Sequence, residues 1–185
     1  MLRSEHIPFN LFGPLKTRPD MATRILGNFV GFQPVEVVAM EFEWAPTPPS
    51  AFLNDRTAFD VYVRCCDSRG RSVGVGIEVK YTERGYAIGP SESIRVNDPN
   101  STYWRVTRES GAFVSEGDST LATDDLRQIW RNHLLGLAMR IRGDIDDFVS
   151  VTLYPESNAH FTHALAAYRR LLTSAPLRCP TTCRR

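Results

Sequence analysis

Two adjacent segments of alternating apolar and polar residues constrain the fold of this chain most strongly. Thr57 to Asp67 and Arg71 to Thr82 are rich in β-branched and aromatic residues, which favours β-strands. The intervening Ser68-Arg69-Gly70 suits a three-residue hairpin loop with Gly70 in the left-handed conformation. The alternation places Phe59, Val61, Val63 and Cys65 on one face of the first strand and Ala58, Asp60, Tyr62 and Arg64 on the other. The sequence therefore predicts an antiparallel β-hairpin.

The hairpin register predicts a specific pair of acidic residues. If Asp67 pairs with Arg71 across the loop, Asp60 lies directly opposite Glu78 on the other strand. Cross-strand partners have Cβ atoms roughly 4.5–5.5 Å apart, with their side chains on the same face. Lys80 lies two residues beyond Glu78 and shares that face. Two acids and one lysine are therefore expected to meet on the surface of the sheet.

This group of residue types is suited to metal-assisted chemistry. Two close carboxylates repel each other unless a cation lies between them, and Mg²⁺ prefers such oxygen ligands. A bound divalent ion lowers the pKa of its water, and a nearby lysine can orient that water or stabilise developing negative charge. Gly74 and Gly76 share this face, and we expect them to leave it open to a bulky polymer. From spacing alone, a structural ion-pair cluster is the favoured alternative.

The remaining segments complete an α/β pattern. The expected elements are a helix from Met21 to about Asn28 capped by Asp20, a strand from Val35 to Trp44, a loop from Ala45 to Ser50, a polar irregular region from Gly85 to Thr120, a helix from about Asp124 to Arg140 capped by Thr123, a strand from Phe148 to Tyr154 and a helix from Phe161 to Leu172. The predicted order is helix, three strands, helix, strand, helix.

Length, charge and cysteine content narrow the class of protein. The 185 residues suit one domain over residues 1–175, followed by a disordered tail over residues 176–185. A formal net charge of +1 excludes a strongly basic surface, so nucleic-acid binding would require a local patch. No secretory signal or membrane-spanning run is evident, and the four cysteines form no disulfide or zinc framework. A cytoplasmic protein is the resulting expectation, with no membrane partner.

Several other polar or aromatic residues have a structural interpretation that outweighs the functional one. A solvated helix face is favoured over a phosphate groove for the arginines Arg127, Arg131, Arg140 and Arg142. Trp130 falls on the apolar stripe of its helix and is expected in the core. His160 and His163 have metal-ligand spacing but no evident third ligand, and His133 is expected to be structural.

The motifs of the two strands and of three other segments resemble a known family. Phe59-Asp60, a short hairpin and then Ile77-Glu78-Val79-Lys80 resemble the PD-(D/E)XK nuclease superfamily, which includes restriction endonucleases and repair exonucleases. A bacterial branch with an FD…IEVKYTE signature is similar over about residues 5 to 172. The further matching motifs are Pro8-Phe9-Asn10-Leu11-Phe12 with Gly13-Pro14-Leu15, Asp55-Arg56-Thr57-Ala58, Trp130-Arg131-Asn132-His133-Leu134-Leu135 and Leu153-Tyr154-Pro155.

The resemblance implies a fold and a set of site residues. The fold is a restriction-endonuclease-like α/β core with a mixed central sheet flanked by helices, in the order α-β-β-β-α-β-α. Asp60 and Glu78 match the metal-binding acids and Lys80 the catalytic lysine, although Phe59 replaces the usual proline. Many members add an acid from the first helix or strand, for which the candidates are Glu5, Glu41 and Glu43. Gln128 is the candidate for an accessory helix glutamine, with an ordinary solvent-facing glutamine as the alternative.

The resemblance also implies an activity. We expect a nuclease that uses Mg²⁺ or Mn²⁺ to hydrolyse phosphodiester bonds, with DNA favoured over RNA by family habit. One alternative is a non-catalytic interaction or DNA-binding module that keeps the nuclease fold. A hydrolase acting on another phosphate ester is a third possibility. The sequence predicts neither the strandedness of the substrate nor the oligomeric state.

Overall fold

A mixed β-sheet forms the centre of the molecule. The computed structural model describes residues 6–28, 30–82, 88–173 and 181–182. The strands are β1 (Glu36–Trp44), β2 (Phe59–Cys66), β3 (Ser72–Val79), β4 (Asp147–Leu153) and the two-residue β5 (Thr181–Thr182). Their spatial order is β1-β2-β3-β4-β5, with β1, β2 and β3 antiparallel and β3, β4 and β5 parallel. This mixed sheet, flanked by helices, confirms the predicted α/β restriction-endonuclease-like architecture.

The β2–β3 hairpin forms as its turn residues predict. Asp67 accepts hydrogen bonds from the backbone N–H groups of Arg69 at 2.8 Å and Arg71 at 3.0 Å, which closes the loop. Gly70 adopts the expected positive φ of 74°. The pairs run from Cys66 opposite Ser72 to Val61 opposite Ile77, so the predicted register is confirmed. Local turn chemistry therefore sets which residues of the two strands face each other.

Two N-terminal helices cover one face of the sheet. These are α1 (Ile7–Lys16) and α2 (Pro19–Gly27), each with proline in its first turn, where a missing N–H costs nothing. Their apolar residues pack against the inner side of the central strands, and the buried set includes Phe12, Leu15, Leu26, Val61, Val63, Val75, Ile77, Val149 and Val151. The expected helix near Met21 is present, but Arg18 rather than Asp20 occupies its cap position. Helix α1 tolerates Pro14 within its last turn.

The region predicted to be irregular, Gly85 to Thr120, is described from residue 88 onward, and that part is more regular than its polar sequence suggested. It contains α3 (Pro90–Asn97) and α4 (Thr102–Ser110), and these two helices correct the prediction of irregular structure. Helix α4 buries Tyr103 and Trp104, whose rings lie 5.6 Å and 4.7 Å from that of Trp130. Burial against a neighbouring helix thus stabilises a segment whose own composition is a weak helix signal.

The second face of the sheet is covered by the C-terminal helices. Helix α5 (Arg127–Arg142) follows α3 and α4 in the connection between the parallel strands β3 and β4, and α6 (Ala159–Arg170) follows β4. Both predicted helices are confirmed, although α5 begins at Arg127 after a turn over residues 124–126, and Leu126 rather than Thr123 caps it. The helix carries a buried apolar stripe against the sheet and α4, which includes Ile129, Trp130, Leu134, Leu137 and Ala138.

Two further observations concern the length of the helices and the C-terminal residues. Among the helices in the described part of the chain, none has the length and apolar character needed to span a bilayer. Thr181–Thr182 pair with Val151–Thr152 of β4, whereas the rest of the predicted tail lies outside the described residues.

Candidate active site

The β2–β3 register brings Asp60 and Glu78 together at one end of the sheet. The β2–β3 pairing ends with Val61 opposite Ile77, and Asp60 and Glu78 are the next residues on their strands. The negative charge of Glu78 raises the pKa of Asp60, so the two carboxyl groups lie close together. Asp60 Oδ2 accepts a hydrogen bond of 2.6 Å from the backbone N–H of Val79. Because Glu78 lies near the C-terminal end of β3, both acids lie beside the carboxyl ends of the parallel strands β3 and β4.

Burial and charge disfavour an ionised Asp60. The pKa of Asp60 is raised to about 7. Desolvation by burial is the main cause, and the negative charge of Glu78 is the second. The Val79 hydrogen bond and the Lys80 ammonium oppose this shift, whereas Glu43 adds to it. The site therefore holds more negative charge than its own lysine neutralises, an arrangement typical of functional sites.

Three donors converge on the Glu78 carboxylate. Lys80 Nζ lies 2.6 Å from Glu78 Oε1, and Gln128 Nε2 donates to the same oxygen at 2.9 Å. Asn132 Nδ2 donates to Oε2 at 2.7 Å. Gln128 and Asn132 are one turn apart on α5, so the same face of the helix presents both amides to Glu78. Gln128 therefore faces the acid pair and not the solvent.

Regular side-chain alternation along β2 breaks beside Asp60, next to an unusual backbone conformation in β1. In β1, Phe42 pairs with Val61 and Trp44 with Phe59, so Glu43 lies beside Asp60 between these two pairs. Glu43 is exposed and has a φ of 47°, a left-handed conformation that is unusual for a side chain other than glycine. Phe59 packs on the α5 side with Tyr62, while Val61 packs on the opposite side. The expectation that Phe59 and Val61 share a face is therefore wrong, because regular alternation breaks at Asp60.

The glycines of β3 do not open the site. A Cβ atom at Gly76 would lie 2.5 Å from the Phe59 ring, and one at Gly74 would lie 2.8 Å from Ile145. Both positions are filled by buried side chains from neighbouring elements, which contradicts the prediction of a face left clear for a polymer. The glycines instead allow the aromatic core to reach the sheet, while Glu78 and Lys80 remain at its end beside a small recess with room for about one water molecule.

Two of the three candidates for an additional acid can be located. Glu43 contributes to the electrostatics of Asp60, whereas Glu41 forms an exposed ion pair of 2.9 Å with Lys16. Glu5 lies outside the described residues. Of the two located candidates, Glu43 is therefore the one whose charge raises the pKa of Asp60.

The arginines of α5 do not form a solvated face. Arg127 is 1% exposed, and its Nε lies 3.2 Å from Glu92 Oε1 of α3. Arg131 Nη1 lies 3.1 Å from the same oxygen, and Arg127 Nη1 lies 2.5 Å from Asp124. Arg140 donates to the carbonyl of Ser110, which leaves only Arg142 of the four on the exposed surface of α5. The prediction fails for Arg127 because α3 covers this side of the helix.

The structural interpretations of Trp130 and His133 are confirmed. Trp130 is fully buried and donates to Thr107 Oγ1, and the ring of His133 lies 3.0 Å from the Tyr168 hydroxyl. Within the part of the chain that the structure describes, no cluster of three or more histidine, cysteine or acidic side chains is arranged to hold a metal ion. His160 and His163 therefore gain no third ligand there, and neither Cys65 nor Cys66 forms a disulfide.

Sequence reasoning missed Asn132 as a site residue. The available signal was its spacing of four residues from Gln128, which places both side chains on one helix face. Thr152 was also missed; it lies opposite Glu78 in the β3–β4 pairing and lines the recess. Neither contact follows from local pattern, because each joins segments more than 50 residues apart in the chain.

The donor set fits a hard divalent cation. Asp60 and Glu78 supply carboxylate oxygens, and the excess of negative charge that disfavours ionised Asp60 is what a bound cation would relieve. The exposed carboxylate of Glu43 lies on the adjacent strand, and no competing thiolate or imidazole is among the residues that line the recess. This chemistry favours Mg²⁺ or Mn²⁺ over a zinc-type ion.

Comparison with known proteins adds one independent finding. A family model described as the PD-(D/E)XK nuclease superfamily matches residues 1–184 of the chain. A search of curated proteins and a search of solved structures each returned no match.

Proposed function

The chain belongs to the PD-(D/E)XK nuclease superfamily, and from that premise we propose that it is a metal-dependent nuclease whose site consists of Asp60, Glu78 and Lys80. The observation that carries the proposal is that Asp60 and Glu78 lie close together on the adjacent strands β2 and β3, while Lys80 contacts Glu78. A purely structural cluster would balance these charges, whereas here the pKa of Asp60 is raised to about 7 by burial and by Glu78.

Each residue has a distinct role in the proposed reaction. Asp60 and Glu78 hold Mg²⁺ or Mn²⁺, and Gln128 keeps the Glu78 side chain in place through its hydrogen bond to Oε1. When bound, the ion supplies a water of lowered pKa and positive charge beside the phosphoryl oxygens. Lys80 orients the attacking water or stabilises charge on the phosphate, because its ammonium is held 2.6 Å from Glu78 at the same end of β3.

Glu43 is the proposed accessory acid. Its left-handed backbone conformation costs on the order of 1–3 kcal/mol, and such conformations cluster at functional sites. Its charge is felt at Asp60, so it can contribute to the field that attracts a cation. This role distinguishes it from Glu41, whose carboxylate is engaged with Lys16 at the surface.

DNA is the proposed substrate and RNA the second candidate, because members of the superfamily more often act on DNA. The principal rival is a non-catalytic nucleic-acid-binding module. The catalytic interpretation is favoured by the presence of all three site residues and by the amide contacts that orient Glu78.

The test is a cleavage assay on linear, circular and single-stranded DNA and on RNA, with Mg²⁺, Mn²⁺ or excess chelator. We expect metal-dependent cleavage of at least one DNA substrate by the wild type. Glu78→Gln preserves the shape and the oxygen that accepts hydrogen bonds but removes the charge, so it should abolish cleavage. Asp144→Asn is the matched control, because Asp144 pairs with Arg142 in an exposed position away from the acids.

Three results would count against the proposal. Absence of cleavage on every substrate, together with metal-independent DNA binding, would favour the non-catalytic module. Cleavage that persists in Glu78→Gln would remove this site from the reaction. Cleavage of RNA alone would keep the enzyme class and overturn the substrate preference.

A further inference from the structure

The Glu78 carboxylate is unevenly occupied by hydrogen-bond donors. A carboxylate can accept about four hydrogen bonds, two at each oxygen. Oε1 already receives Lys80 and Gln128, whereas Oε2 receives Asn132 alone among the described residues. Among the described residues, Oε2 therefore accepts one hydrogen bond fewer than Oε1, and Asn132 is its donor.

Asn132 is itself firmly held. It is 6% exposed and lies in the middle of α5, between the buried residues Trp130 and Leu134. The neighbouring Arg131 is tied to Glu92 of α3 at 3.1 Å, which anchors this turn of the helix from its other side. An amide in this position does not have to be ordered when a ligand binds to Glu78, because folding has already fixed it.

We propose that Asn132 is a positioning residue that holds the Glu78 carboxylate ready for metal binding through its hydrogen bond to Oε2. The inference rests on the proposed function, since it assigns Glu78 the role of a metal ligand. Asn132 acts through Glu78 and touches neither substrate nor the reacting atoms. Hydrogen-bond partners of metal ligands orient the ligand, and their loss typically lowers metal affinity about 10- to 100-fold.

A merely structural role for Asn132 has a different consequence. The carboxylate of Glu78 is largely buried, so losing one donor would destabilise the fold whatever Asn132 does for metal binding. That loss would be the same with and without metal. A positioning role predicts in addition that the stabilisation gained on adding metal becomes smaller.

The experiment measures metal affinity by calorimetry and the melting temperature with and without millimolar MgCl₂ or MnCl₂. Asn132→Leu keeps the side-chain volume and removes the donor, and Asn132→Ala serves if the leucine does not fold. Thr107→Val is the matched control: it removes a buried hydroxyl that bonds Tyr103 and Trp130, away from Glu78. We expect metal affinity to fall about 10- to 100-fold in the Asn132 variants and to stay unchanged in Thr107→Val.

The outcomes separate this inference from the proposed function. If the wild type binds metal and the Asn132 variants bind it equally well, Asn132 is a structural residue and only this inference is overturned. If Thr107→Val loses metal affinity to the same extent, the effect is general destabilisation, and the inference is again overturned. If the wild type binds neither ion, the proposed metal site fails, and the positioning role fails with it.

Discussion

Helix α5 contacts two charged clusters through neighbouring residues. One contains the proposed catalytic residues Asp60, Glu78 and Lys80, is called the catalytic cluster, and is contacted by Gln128 and Asn132. The other, the arginine cluster, comprises Arg127, Arg131 and Glu92, and its arginines each precede one of those amides in sequence. Both clusters are largely buried and both join α5 to another element, yet their charge balance differs.

The difference separates a closed ion-pair cluster from one that calls for a further cation. In the arginine cluster the single carboxylate of Glu92 accepts from two guanidinium groups, and Asp124 adds a second acid at its edge. In the catalytic cluster two acids face one lysine, and the pKa of Asp60 is raised by burial and by Glu78. Buried opposite charges in contact stabilise one another only when each is satisfied. The catalytic cluster therefore differs from the arginine cluster by an excess of negative charge, which the proposed cation would neutralise.

The largest expected effect concerns the arginine cluster. Glu92→Gln should destabilise the fold by about 3–5 kcal/mol, because it leaves buried guanidinium charge without its principal carboxylate. Urea unfolding of the wild type and of Glu92→Gln, each with and without Mg²⁺, measures this loss of unfolding free energy. Glu41→Gln, which breaks the exposed pair with Lys16, is the control and should cost about 1 kcal/mol or less. If the loss of unfolding free energy in Glu92→Gln depended on Mg²⁺, the proposed difference between the two clusters would be wrong.

The next effect concerns catalysis. Lys80→Ala should lower the rate of metal-dependent cleavage on the order of 10²–10³-fold while the fold and most metal binding persist, because lysine acts on charge formed in the transition state. Single-turnover rates at saturating metal measure this loss. Lys16→Ala removes a lysine from a surface ion pair and should cleave as fast as the wild type. Equal rates for Lys80→Ala and wild type would show the proposed role of Lys80 to be wrong.

Metal addition should stabilise the wild type by about 2–3 kcal/mol when the ion is in roughly 100-fold excess over its Kd. Asp60→Asn should abolish this gain and should melt higher than the wild type in chelator at pH 8, because it removes a charge that burial and Glu78 disfavour. Differential scanning calorimetry measures both quantities. Asp20→Asn on the exposed face of α2 is the control and should keep the metal response. A wild type unaffected by either ion would count against the cation requirement.

The smallest expected effect comes from a buried neutral group on the same helix. Burial lowers the pKa of His133 to about 3, with a further lowering from Arg140. Because the unfolded histidine titrates near 6.5, the unfolded state binds more protons between the two values, and stability falls as pH drops below about 6.5. The loss between pH 7 and 5 should be about 2 kcal/mol. His133→Gln should flatten the pH dependence of the free energy of unfolding, measured by urea unfolding at pH 5 and pH 7. The control His163→Gln, at an exposed position, should leave that dependence unchanged. If His133→Gln also leaves it unchanged, other groups cause it.

The sequence by itself determined the hairpin and, through it, the acid pair. Asp67 and Gly70 set the turn, and the turn fixes the register of β2 and β3 as far as Val61 opposite Ile77, next to Asp60 and Glu78. Such contacts depend on residues a few positions from the loop, so the pattern of one segment is enough to predict them. The strands β1 and β4 and the helices α5 and α6 were also predictable from their periodicity, with ends that shifted by a few residues.

The tertiary structure alone decided what surrounds the acids. Asn132 reaches Glu78 across 54 positions of sequence, and Arg127 is buried only because α3 packs against it. Phe59 packs with Tyr62 on the α5 side, although residue alternation predicts that it shares a face with Val61. Helix packing and charge burial depend on the whole chain being in place, so no local pattern specifies them. Local chemistry thus predicted the two acids and their lysine, while long-range packing selected the amides that hold Glu78.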